Sequence, residues 1–114
     1  MPHYLLELYT PKAAWLALAA EDRRAYFDAV GAGLASLSSQ GIEAITFGET
    51  DATYLHSGSQ QFFAVWKFLD ADALKVLVAS IAASGWHGYF DTVNIAGVGV
   101  SMADHLAQLA ALQC

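Results

Sequence analysis

The sequence predicts an α+β fold: one four-stranded antiparallel sheet with two main helices on one face. Three observations carry this. Four stretches are rich in aromatic and aliphatic side chains of strand length. Two longer stretches between them repeat apolar residues at three- and four-residue steps, the helical period. The order along the chain is strand, helix, strand, strand, helix, strand. At 114 residues a single domain over 1–114 is expected, with a core over 3–100 and a helical tail over 101–114.

Residues 3–9, His-Tyr-Leu-Leu-Glu-Leu-Tyr, read as the first strand. Tyr4, Leu6 and Leu8 face one way, and His3, Leu5, Glu7 and Tyr9 the other. Thr10 is expected to cap a short helix, 11–19, with Pro11 at its first position. A longer helix is predicted over 21–40 because Phe27, Val30, Leu34 and Leu37 form one stripe. Gly31 and Gly33 weaken it by roughly 1 kcal/mol each relative to Ala, so they are expected to permit close packing. Gly41 is a natural stop.

Residues 42–49 read as the second strand, 50–60 as a polar loop, and 61–69 as the third strand. Asp70 is an N-cap with Asp72 in the first turn. Leu74, Leu77, Val78 and Ile81 form the stripe of the second main helix, which ends at Gly85. The stretch Ser84–Gly97 then packs Trp86, His87, Tyr89 and Phe90 into a short junction. The fourth strand is predicted over 92–100, with Gly97 and Gly99 allowing a bend or close approach. Residues 102–112 form an amphipathic tail helix.

Composition narrows the function classes. The chain is 56% hydrophobic and only 14% charged, against about 25% charged in an average soluble domain. Such surplus apolar surface predicts self-association. The net charge of −6, with five Lys plus Arg, argues against a nucleic-acid surface or an anionic membrane. No apolar run approaches the ~18 residues of a membrane span. The first residues lack a basic region and a small-residue cleavage site, so no secretory leader is expected. The one cysteine, Cys114, rules out an intrachain disulfide and fits a reducing, cytoplasmic compartment.

Two βαβ halves give a ferredoxin-like βαββαβ arrangement with the second sheet face bare. A wet antiparallel face should alternate apolar and polar residues, yet Phe63, Val65 and Leu69 oppose Phe62, Ala64, Trp66 and Phe68. Both faces want burial, so a homodimer packed through the bare faces is expected. The element order and doubly apolar sheet resemble the dimeric α+β barrel superfamily. Trp15-Leu16 before Glu21-Asp22-Arg23, and Trp86-His87-Gly88-Tyr89-Phe90 before Asn94 and Gly97, are similar to a bacterial family of that kind with no assigned function. The resemblance covers roughly residues 3–100. It implies a cavity for a small hydrophobic or aromatic molecule and chemistry of the cofactor-independent monooxygenase, isomerase or cyclase type.

Candidate site residues follow. Glu7 and Lys67 sit amid apolar residues on strands expected to be neighbours. Buried charges tend to pair, so they are expected either to meet, inside a cavity or as a structural ion pair, or to stay apart with Lys67 reaching solvent over its own stem. His87 is the candidate acid–base group, because imidazole is the side chain whose unperturbed form changes charge near neutrality, with Asp91 four positions on to orient it if the junction is helical. Asn94 is a candidate to hold a ligand carbonyl or an enolate. Tyr9, Trp86 and Tyr89 are candidate walls for a flat substrate. His3, His56 and His105 show no ligand spacing, so no metal site is expected, and no motif calls for a bound cofactor. Two readings remain open: a small-molecule enzyme, or a non-catalytic dimerisation or ligand-binding module whose polar core residues are structural.

Overall fold

The computed structural model describes residues 1–113; Cys114 lies outside the described residues. The order is β1 His3–Pro11, α1 Ala13–Leu16, α2 Ala20–Leu34, β2 Ile42–Glu49, β3 Phe62–Phe68, α3 Ala71–Ala83, α4 Trp86–Tyr89, β4 Phe90–Val98 and α5 Met102–Ala110. The sheet runs β2-β3-β1-β4, with every neighbouring pair antiparallel. This is the expected ferredoxin-like arrangement.

Register sorts the side chains between two faces. Glu7 pairs with Ala64 and Asn94, Leu5 with Trp66 and Ala96, and Tyr4 with Lys67 and Gly97. Directly paired residues share a face. Leu5, Glu7, Ala64, Trp66 and Phe68 therefore point to the helices, and all are buried. Leu77 and Ala73 of α3 pack on them, with Leu37 and Ile42 completing the core. The other face is partly wet: Leu6 is 39%, Val93 45% and Ile95 52% exposed.

Helix α3 begins as its sequence dictates. The Asp70 carboxylate accepts the Ala73 N–H at 2.8 Å, satisfying one orphan donor of the first turn. Gly85, at φ 84°, follows the helix in a conformation that suits a residue without Cβ. Gly41, at φ 80°, has the same role before β2, and a Cβ there would press on Leu69.

Several boundaries differ from expectation. Pro11 ends β1, paired with Phe90, and the cap of α1 is Lys12. A proline fits a strand end because no ladder donor is needed there. The predicted 21–40 helix stops at Leu34, and a separate 3-10 turn spans Leu37–Gln40. Ser36, Ser38 and Ser39 crowd this break, and the Ser39 hydroxyl donates to the Ser36 carbonyl at 2.8 Å, which competes with helical bonding. β4 starts at Phe90, two residues early, and ends at Val98.

Helix α2 packs differently from α3. It contains no buried residue, and Phe27 is 45% exposed. Gly31 and Gly33 do not mediate close packing: a Cβ at either would meet nothing within 4 Å. Gly99 does mark a close approach, because a Cβ there would run into the Tyr4 ring.

Two substitutions test this contrast by chemical denaturation. Leu77→Ala, at a fully buried position, is expected to cost about 2–5 kcal/mol. Gly31→Ala, in open space on a helix, is expected to gain about 0.5–1 kcal/mol. A loss at Gly31 would mean that α2 packs more tightly than described.

Candidate functional site

Because α2 stands off the sheet, a cavity of about 550 Å³ lies beneath it. This falls within the ~300–1,000 Å³ range of small-molecule pockets. Its floor is Glu7, Tyr9, Ala64 and Trp66 from the two central strands. Phe27, Val30, Gly33 and Leu34 of α2 form the roof. Ser80, Ile81 and Ala83 of α3 close one flank, and Phe47 and Trp86 stand at the sides. Small residues on both layers make the room: Ala64 below, Ala29 and Gly33 above.

Among the described residues Glu7 is the one buried charged residue, 4% exposed. Strand parity forces it inward, between Leu5 and Tyr9. Trp66 Nε1 donates to Glu7 Oε1 at 2.7 Å. Oε2 has no protein partner among the described residues. Since no buried side-chain N or O atom there lacks a partner, Oε2 must be open to the cavity. Burial pushes the Glu7 carboxyl above the usual carboxylate range, against a smaller lowering from the Trp66 hydrogen bond. Tyr9 is also raised, first by burial and then by the Glu7 charge.

Rings flank this carboxyl on both sides. Trp86 meets Tyr9 edge-on at 5.1 Å and stacks on Phe90 at 4.1 Å. Its Nε1 donates to Thr92 Oγ1 at 3.2 Å, which sets the ring's direction. Opposite, Phe47 meets Trp66 edge-on at 5.4 Å.

Of the expected site residues, Glu7, Tyr9 and Trp86 line this cavity. Lys67 does not. It pairs with Tyr4 and Glu43 on the far face, so the expected meeting with Glu7 is not formed; the sheet lies between them. His87 is exposed on α4 and faces no part of the cavity. Its backbone carbonyl accepts from Lys12 Nζ at 3.1 Å, while Asp91 lies on β4, outside the helical turn that would let it orient the ring. Asn94 sits beside Glu7 on edge strand β4 but is exposed. Tyr89 packs on Trp15 and Tyr26, at 5.4 and 5.1 Å, outside the cavity. Trp66, Phe47, Phe27 and Ala64 also line the cavity, and none of them was expected from the sequence as a site residue. The shared parity of Ala64 and Trp66 was visible, but their placement beside Glu7 depends on register. Among the described residues, no cluster of three or more His, Cys, Asp or Glu could hold a metal ion. No helix there is long and apolar enough to cross a membrane.

The strand order and helix placement define a ferredoxin-like α+β protein with a half-open, ring-walled cavity under α2. The chain belongs to the family of unknown function DUF6616, which matches residues 2–112. No curated protein matches it in sequence. Among solved structures, a mutant chlorite dismutase from Candidatus Nitrospira defluvii is similar at a TM-score of 0.73 and 14% identity, over 96% of this chain and 45% of that one. A DABB family protein with a ferredoxin-like fold from Mesorhizobium loti is similar at a TM-score of 0.52 and 17% identity, over 88% and 98%. A dimeric protein of unknown function with a ferredoxin-like fold from Bacteroides fragilis matches at 0.52 and 10%, over 86% and 96%. The chain spans less than half the length of the chlorite dismutases it matches. These likenesses concern the fold.

The raised Glu7 carboxyl has a consequence for stability. The folded state holds this proton more tightly than the unfolded chain. Stability from this group is therefore fully present below the unfolded value of about 4.3 and falls as pH rises through the higher folded value. Wild type is expected to lose melting temperature over that interval relative to Glu7→Gln, which keeps an acceptor for Trp66. Parallel pH profiles of the two proteins would remove the shift.

Proposed function

We propose that the chain binds a small hydrophobic, ring-containing molecule in the cavity between the sheet and α2. The observation that carries this is the cavity itself: apolar and ring-walled, with one buried polar group whose Oε2 opens into it. Sites of this kind combine apolar walls with few convergent polar groups. A purely structural carboxyl is expected to have both oxygens matched, because a half-satisfied buried charge is costly.

One observation favours a catalytic version. A carboxyl that burial holds above its usual range keeps its proton more readily than a free one and is suited to exchange it with a bound substrate. Glu7 would then move a proton on a bound substrate, in an isomerase- or cyclase-like step without a bound cofactor. It replaces His87 in that role, because His87 lies outside the cavity.

The second half of the proposal is a homodimer joined through the bare sheet face. The exposed Leu6, Val93 and Ile95 support it. So does α5, every residue of which is exposed, including Met102, Leu106 and Leu109 along one side. The radius of gyration is 16.3 Å, against about 13 Å for a compact chain of this length.

Binding is tested with N-phenyl-1-naphthylamine, a neutral dye that brightens in apolar sites. Wild type is expected to bind it. Gly33→Phe, which directs a ring into the void, is expected to weaken binding by about tenfold or more, since a lost apolar pocket commonly costs 1–3 kcal/mol. Equal binding by both proteins would place the dye elsewhere and remove the cavity from the proposal. Sedimentation equilibrium at micromolar concentration is expected to give twice the chain mass. The single-chain mass would end the dimer half of the proposal.

A further inference from the structure

Most hydrogen-bonding groups on the cavity wall are already used. Of the five side chains there that carry an N–H or O–H donor, four are engaged within the protein and the Tyr9 hydroxyl is not. Trp66 Nε1 serves Glu7, and Trp86 Nε1 serves Thr92. The Ser80 hydroxyl donates to the Val76 carbonyl at 2.8 Å, and the Ser84 hydroxyl to the Ile81 carbonyl at 2.7 Å. What remains for a ligand is the Glu7 Oε2 acceptor and the Tyr9 hydroxyl. Among the described residues no Lys, Arg or His lines the wall, so an anionic ligand finds no counter-charge there.

Charge and ring placement point the same way. An ionised Glu7 has no cationic partner on the wall, and burial without one is what makes the carboxylate form costly. A ligand that brings its own positive charge removes this penalty and forms a charge-assisted hydrogen bond. The cavity that Glu7 lines also carries two edge-on ring pairs, Tyr9 with Trp86 and Trp66 with Phe47. Aromatic faces attract organic cations, most strongly where water is excluded. The net charge of −6 draws cations toward the whole molecule.

We propose that the cavity selects a lipophilic organic amine, its aromatic or aliphatic body under α2 and its protonated nitrogen on Glu7 Oε2 between the two ring pairs. This rests on the reading of the cavity as a small-molecule site and names its ligand class. The Trp66 hydrogen bond fixes the carboxyl plane, so the free oxygen is aimed before the ligand arrives. Uptake of the amine displaces the proton that burial keeps on Glu7 at lower pH. Affinity therefore rises with pH through the Glu7 titration. Among the described residues Tyr9 is the only other titratable group on the wall; α2, α3, α4, β2 and β3 contribute none to it.

The test uses three probes with one ring system: 1-naphthylmethylamine, 1-naphthalenemethanol and 1-naphthoic acid. Each displaces N-phenyl-1-naphthylamine from the intact protein at pH 7.5 or so. The amine is expected to compete about tenfold or more better than the alcohol, the usual scale of one charge-assisted hydrogen bond, with the acid weakest. Lowering the pH below the Glu7 titration is expected to erase the amine's advantage. Glu7→Gln keeps the shape and the Trp66 acceptor; with each protein's own dye affinity as the reference, amine and alcohol are expected to become equal within about twofold. Equal competition by the three head groups on wild type overturns the charge proposal and leaves the cavity reading standing. So does an amine preference that survives Glu7→Gln. Failure of the dye to bind wild type at all overturns the cavity reading and this proposal with it.

Discussion

The structure depends on how it accommodates one carboxyl. β1 must send Glu7 inward, because Leu5 and Tyr9 on either side of it belong to the helix-facing set and strand parity allows no exception. A carboxyl pointing into an apolar layer needs partners. Trp66 provides one at 2.7 Å, and Trp66 is itself placed by pairing with Leu5. Had α2 closed over the sheet as α3 does, Oε2 would have been sealed against aliphatic side chains. Instead the helix stands away, and the second oxygen looks into open space. The cavity and the half-satisfied acid are therefore one feature.

The looseness of α2 has a clear origin in its sequence. Its cavity side carries Ala29 and Gly33 where a tightly packed helix would carry Leu or Ile. Its N-cap is Ala19, with no side-chain cap, whereas α3 is capped by Asp70. Tethers at both ends hold it in place. Arg23 donates to the Trp15 and Leu16 carbonyls at 3.2 and 3.0 Å, and Tyr26 and Phe27 join the ring cluster around Trp15. At the other end Leu37 is buried in the core. A helix pinned at its ends and small in its middle spans the space without filling it.

Much of the fold was legible in the chain. Each strand, the Asp70 cap and the Gly41 and Gly85 turns follow from local chemistry, and strand order followed from the βαββαβ pattern. What escaped depends on distances between elements. Face parity within β1 and within β3 was plain, yet whether Glu7 and Lys67 share a face depends on their relative register. Tyr4, an even-numbered neighbour of Glu7, takes Lys67 as its partner, which sends the two charges to opposite sides. The ring-rich junction looked like one wall, but its one-turn helix divides it. Trp86 turns toward Tyr9 and the cavity, Tyr89 toward Trp15, and His87 outward. The glycines of α2 were ambiguous for the same reason: a missing Cβ allows contact or leaves a gap, and only the opposing layer decides which.

The space under α2 is apolar and, at about 550 Å³, large enough to hold a ligand. Apolar cavities that stay dry take up xenon, so a crystal pressurised with the gas gives the most direct measurement. Xenon density is expected against Trp66, Ala64 and Val30, with the Glu7 carboxyl at its edge. A helix α2 found collapsed onto the sheet, with Phe27 filling the place beside Trp66 and no xenon bound, would contradict it.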